Sequence, residues 1–284
     1  MDLGGELERI IAGRWIAGPE IGDAVTRATK LNAIGIGAIV NYLGEEFTGR
    51  RDVKEAFEEY LDLIDQIKGN KLNASISVKM SELGLLIGKG LAESNYESIV
   101  KEARKRHIFV WLDMEGHEYV DDTIDIYRSM AGKGDTGICI QAYLRRSMDD
   151  VKEIVRGRGI VRLVKGAYRE GEEIAFTGWE RKTQNYREIM AYLFAHAKEF
   201  TIATHDTAII SDAVELNRKR RRNVTFAMLN GIRNKYAAGL VGKRQKVALY
   251  VPYGRRWMEY AGRRLSEMEN LRLLLGSVMQ DRKM

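Results

Sequence analysis

The sequence predicts an α/β fold: a distorted (β/α)8 barrel of the TIM type with an N-terminal helical segment. Three observations predict it. Short runs rich in Val, Ile and Ala recur eight times along 284 residues, each followed by a charged stretch with helical period. Most runs are too continuously apolar for half-exposed strands, so they read as strands buried on both faces of a parallel sheet. Several runs then end in polar side chains, at the edge where a barrel carries its chemistry.

The elements follow in order. A helical segment at about 20–33 precedes the first run, IGIGAIVNYL at 34–43. A helix over 51–67 comes next, with Val53, Phe57, Tyr60, Leu61 and Ile64 three and four apart in one apolar stripe. Asn70 and Lys71 lead into ASISVKM at 74–80. IFVWLDM (108–114) precedes a helix over 119–132, then come ICIQAYL (138–144) and IVRLVKGAY (160–168). A helix over 183–198 leads to FTIATHD (200–206), VTFAML (224–229) and KVALYVPY (246–253), and a helix over 254–276 closes the series. A doubly wound open sheet shares this alternation, but no GxGxxG follows the first strand. No linker rich in Pro, Gly or Ser divides the chain and Pro occurs only twice, so 1–284 reads as a single barrel domain without internal repeats.

Composition narrows the function. Mean hydropathy is -0.33 and no run offers the apolar length of a membrane span. The N-terminal stretch lacks the features of a signal peptide, and the lone Cys139 excludes an internal disulfide, so a cytoplasmic location is expected. Net charge is +6, which brings nucleic acid into consideration. The dense basic run, NRKRRRN at 217–223, lacks interleaved aromatics and reads as a solvated helix end, so no nucleic-acid partner is expected.

The strand ends are the candidate site. They carry Lys79, Asp113, Gln141 and Tyr143, then Arg162, Lys165 and Tyr168, then Thr204, His205 and Asp206, and finally Tyr250 and Tyr253. Such groups are costly inside an apolar barrel unless paired or ligand-bound. Lys165 is open to three readings: a Schiff-base amine, a phosphate binder, or the partner of a carboxylate. His205 is one of only four histidines, too few and too scattered for a metal centre, so no metal is expected. Asp113-Met114-Glu115 supplies two carboxylates. Strand alternation is expected to separate neighbouring side chains there, so they are not read as a shared acid pair. After the last strand, Arg256, Tyr260, Arg263, Arg264 and Glu267 fall three and four apart on one helical face. Two adjacent guanidiniums suit a carboxylate, and Glu267 is their natural counter-charge.

At this point the residues resemble the proline dehydrogenase family. LGE (43–45), SVKMSELG (77–84), LDMEG (112–116), QAYLRR (141–146), RLVKGAY (162–168), ATHD (203–206) and the YVPYGxxWxxYxxRRLxE pattern (250–267) match in order and spacing. The resemblance implies a flavin enzyme that binds FAD and oxidises L-proline to 1-pyrroline-5-carboxylate. It implies that Arg263 and Arg264 hold the substrate carboxylate. Lys79 and Asp113 would line the proline site, with Ala167, Leu229, Tyr250 and Tyr260 as its walls. Gln141, Arg162, Lys165, Gly166, Tyr168, Thr204, His205, Asp206 and Glu267 would lie on the FAD side. Lys79 and Arg162 are expected to favour the neutral amine, and Asp113 to orient Lys79 or Arg264. A quinone acceptor, with at least transient contact at the inner face of a membrane, is also implied. Two positions depart from the family pattern: Arg169 stands where an aromatic is usual, and Asn230 where a bulkier residue is. The rival readings are a Schiff-base lyase acting through Lys165 and a nucleic-acid module around 217–222.

Overall fold

The computed structural model describes residues 15–130 and 135–257. In chain order these form α1 (Ile21–Asn32), β1 (Gly37–Tyr42), α2 (Arg50–Gly69), β2 (Ala74–Val78), α3 (Lys89–Lys105), β3 (Val110–Leu112), α4 (Val120–Met130) and β4 (Thr136–Gln141). Then follow α5 (Ser147–Arg156), β5 (Ile160–Val164), α6 (Trp179–His196), β6 (Glu199–Ala203), α7 (Thr207–Arg220), β7 (Asn223–Leu229), α8 (Asn234–Gly242) and β8 (Lys246–Tyr253). The eight strands are parallel and paired in sequence order, and β8 returns to β1 to close the barrel. All eight predicted strands are present.

Their C-terminal ends are shorter than expected. β2 stops before Lys79, β3 before Asp113, β5 before Lys165 and β6 before Thr204. Asp113 and Thr204 each keep one backbone bond to the neighbouring strand, to the carbonyls of Val78 and Ala227, and the regular ladder ends there. The stripe on α2 is also rotated. Val53, Ala56, Tyr60, Leu63, Ile64 and Ile67 are buried, while Phe57 and Leu61 are only partly covered. Ala56 contributes so little hydrophobicity that its place on the buried face was not legible. The helix expected over 254–276 lies outside the described residues from 258 onward.

Among the described residues, two apolar clusters build the barrel itself, beside a small one of Phe47, Val53 and Ala56. The larger fills the layer between sheet and helices, with Val40, Val78, Leu112, Ile140, Leu163 and Ile202 facing outward. The smaller holds Ile39 of β1, Trp111 of β3 and Ala227 of β7. Residues of non-adjacent strands meet only across the lumen, so this cluster plugs the barrel from inside. Gly137 beside Trp111 makes room for the plug, since a Cβ there would sit 2.5 Å from the indole. In the outer ring, α1 packs against both β8 and β1. Backbone bonds from Ala17 to Pro252 and from Gly254 to Gly18 tie the segment before α1 to the end of β8.

The basic run at 217–223 is a helix end, as expected. Arg218 and Lys219 pair with Glu215, and the Arg222 guanidinium donates to the carbonyls of Phe194 and Ala195 at the end of α6. Among the described residues no helix is long and apolar enough to cross a membrane.

Candidate active site

Above the apolar plug the lumen turns polar. Arg162 on β5 is buried and reaches across to three other strands. Its Nη2 donates to Ser77 Oγ at 3.0 Å and to the Asp113 carboxylate, and its plane lies over Trp111 and Tyr250. Asp113 also accepts from the Tyr250 hydroxyl at 2.8 Å, while Arg162 Nε faces Cys139 Sγ at 3.2 Å. Burial alone opposes the guanidinium charge, and the Cys139 thiol and Asp113 outweigh it. Arg162 Nη1 is buried with no hydrogen-bond partner among the described residues.

Lys79, just past β2, forms a second cluster. Its ammonium donates to Asn41 Oδ1 at 3.3 Å and Glu82 Oε1 at 3.2 Å, with Glu45 at 3.8 Å. Burial opposes its charge, but Glu82, Glu45 and Asp113 outweigh that and hold its pKa above the ordinary lysine value. Burial pushes Glu82 up to about 8 against the pull of Lys79 and the Tyr60 hydroxyl. Asp113 makes no bond to Lys79, the first of its two expected partners; it bonds Arg162 and Tyr250, and the other expected partner, Arg264, lies outside the described residues. Lys79 and Arg162, the cations expected to favour the neutral amine, each lie beside a buried acid, Glu82 and Asp113.

Glu115 lies apart from Asp113. It accepts from the Ser81 backbone N–H at 3.0 Å and from the Ser81 hydroxyl, and burial raises it to about 7. Strand alternation is not the reason, since it would put residues two apart on one face. The chain has left the pleat after Leu112, and each carboxylate follows its own partner.

The other predicted residues ring the C-terminal mouth. Gln141 is buried, donating to the Glu115 carbonyl and accepting from the Ala167 N–H. Lys165 pairs with Asp206 at 3.3 Å, the arrangement named in one of its three readings. Asp206 is the N-cap of α7, accepting from Ala208 and Ile209, and its own N–H bonds Thr204 Oγ1. His205 Nε2 accepts from the Leu229 N–H at 3.1 Å, which places the proton of the neutral ring on Nδ1 and spends the nitrogen on backbone. Gly166 has φ 112, and a Cβ there would meet the Tyr143 ring at 2.1 Å. Ala167, Tyr168, Leu229 and Tyr250 are half-buried around the opening. Arg169 is exposed, whereas Asn230 is buried and donates to the Trp15 carbonyl. Tyr260, Arg263, Arg264 and Glu267 lie outside the described residues. Among the described residues, His117, Glu118 and Glu170 bring potential metal-ligand atoms within 4.8 Å of one another. In that group His117 bridges to Glu170 at 2.5 Å and links the loops after β3 and β5.

Sequence reasoning passed over Ser77, Asn41, Tyr60 and Glu82. The available signal was Glu82 itself, the one charged residue in the turn after Lys79.

Comparison with known proteins places this geometry. The proline dehydrogenase family model matches residues 24–271. The chain is 32% identical over 263 residues to proline dehydrogenase 2 of Bacillus subtilis strain 168, covering 91% of this chain and 87% of that protein. It is 30% identical over 266 residues to a proline dehydrogenase of Deinococcus radiodurans, covering 90% and 86%. Among solved structures, proline utilization A from Bdellovibrio bacteriovorus superposes with a TM-score of 0.84 at 21% identity, and so bears on the fold alone. The match covers 93% of this chain and 34% of that longer one. A barrel with this polar mouth and these matches along most of its length belongs to the proline dehydrogenase family.

Proposed function

We propose that the chain binds FAD at the mouth of the barrel and oxidises L-proline to 1-pyrroline-5-carboxylate, the first step of proline catabolism. The observation that carries the cofactor assignment is Arg162. A buried guanidinium anchored on one side by Asp113 and Ser77, with Nη1 unpartnered among the described residues, suits an acceptor atom of a bound polar ring. Gln141, Lys165, Gly166, Tyr168, Thr204 and His205 would hold the rest of the cofactor, with Asp206 fixing Lys165 and the start of α7, and Glu267 beyond the described residues. Bound FAD supplies the two-electron acceptor for the C–H bond beside the ring nitrogen.

The protein's own residues bind and orient. Arg263 and Arg264 hold the carboxylate at two points, Lys79 adds a third, and Ala167, Leu229, Tyr250 and Tyr260 exclude water from the ring. The amine must shed its proton for its lone pair to drive oxidation. Lys79 and Arg162, together with the clamp arginines, disfavour a charged amine here. On the same reading the electrons leave to a quinone at a membrane surface.

The test is a flavin absorbance scan of purified protein under anaerobic conditions, before and after L-proline. Bleaching of a bound flavin is expected. A protein that takes up no FAD and leaves proline untouched overturns the proposal. Trapping of a carbonyl substrate on Lys165 by borohydride would favour a lyase instead.

A further inference from the structure

We infer that Glu82 is a positioning residue for the substrate lysine: with Asn41 and Tyr60 it forms a buried pedestal that fixes the Lys79 ammonium so that one N–H remains for the proline carboxylate. The inference rests on the proposed role of Lys79 as a substrate contact.

The geometry is a closed set of bonds. Glu82, Asn41 and Tyr60 are fully buried, and Lys79 is 5% exposed. Glu82 Oε1 accepts from Lys79 Nζ and from the Gly44 N–H at 3.2 Å, and Oε2 accepts from the Tyr60 hydroxyl at 2.8 Å. Asn41 accepts from Lys79 through Oδ1, and its Nδ2 donates to the Tyr60 oxygen and the Ser77 carbonyl. The pedestal is thus tied to β1 through Asn41, to β2 through the Ser77 carbonyl and to α2 through Tyr60.

An ammonium has three N–H bonds. Asn41 and Glu82 take two. Glu45 at 3.8 Å is an ion-pair neighbour beyond hydrogen-bond distance, so the third N–H has no acceptor among the described residues. A lysine is ordinarily a loose point charge on a flexible stem. Two fixed acceptors convert it into a directed donor, and it is the direction that a small carboxylate substrate needs. Glu82 follows Lys79 by three residues within the turns over 80–87, and Leu83 and Leu85 N–H groups bond back to the Met80 carbonyl to hold that turn.

The experiment measures steady-state kinetics on the flavin-loaded enzyme. Glu82→Leu removes the acceptor while keeping volume, and Glu82→Gln keeps an acceptor oxygen. Glu82→Leu is expected to raise KM for L-proline roughly ten- to hundredfold, the loss of one charge-assisted hydrogen bond, with a smaller change in kcat. Glu82→Gln should recover most of that loss. KM for pyrrolidine, which has no carboxylate, should stay within about twofold of wild type for both variants. In a Lys79→Met background Glu82→Leu should add little. Flavin content and melting temperature identify a variant that fails to fold, in which case the Glu82→Gln and Lys79→Met comparison decides. Equal damage to proline and pyrrolidine kinetics, or the same damage with and without Lys79, would show a merely structural carboxylate and overturn the inference. Wild-type enzyme that does not oxidise proline at all would instead overturn the proposed activity, and Lys79→Met with a wild-type KM would remove Lys79 from the substrate site.

Discussion

Removing the Asp113 carboxylate should destabilise the whole barrel as well as the site. Arg162 is 3% exposed and Asp113 8%, so Asp113→Ala strands a guanidinium in the lumen between Trp111 and Tyr250. Breaking one side of a buried pair costs about 3–5 kcal/mol, and the Tyr250 hydroxyl, left without its acceptor, pushes the figure to the upper end. For a chain of this size each kcal/mol lowers the melting temperature by about 2–4 °C, so a drop of roughly 6–20 °C is expected. The assay is thermal unfolding of the flavin-free protein followed by circular dichroism, with urea midpoints as a second measure. Asp113→Ala/Arg162→Met removes both charges and should recover most of the loss, because an apolar replacement of a buried pair is close to neutral. An Asp113→Ala protein melting within about 2 °C of wild type, or a double variant no better than the single one, refutes the reasoning. The same substitution should weaken flavin binding, since Arg162 loses the partner that aims it.

Three further outcomes are expected. Folded Glu115, with its pKa raised to about 7, holds its proton more tightly than the unfolded chain does. Its contribution is full below the ordinary carboxyl value of 4.5 and is lost as pH rises through about 7, with Glu82 acting in the same direction, so melting temperature should fall across that window and Glu115→Gln should flatten the slope. Gly166→Ala forces a side chain onto φ 112 and into the Tyr143 ring, a strain of about 1–3 kcal/mol that should appear as weaker FAD affinity in a binding titration. Arg263→Lys and Arg264→Lys keep charge but lose the planar fork; each should lower kcat/KM for proline by roughly 30- to 1000-fold, mostly through KM, and wild-type KM in both would show that the carboxylate is held elsewhere.

What the sequence determined by itself was the fold and the edge of the barrel where polar residues gather. Eight apolar runs in alternation with helices leave a closed parallel sheet as the economical solution, and polar side chains at several strand ends must be paired or ligand-bound. The motif spacing carried the family as well, because Lys79, Asp113 and the Arg162–Lys165 pair follow in order on the second, third and fifth strand runs. What only the tertiary structure decided was pairing. Asp113 met Arg162 and Tyr250 rather than Lys79, because register and barrel closure set which strand ends face each other across the lumen, a relation no linear spacing encodes. Glu82, Asn41 and Tyr60 look in sequence like a loop acid, a strand amide and a helix-stripe aromatic. Folding buries them together beneath one ammonium, where a low dielectric makes each hydrogen bond count and each unpaired charge costly, and that burial gives Lys79 its direction.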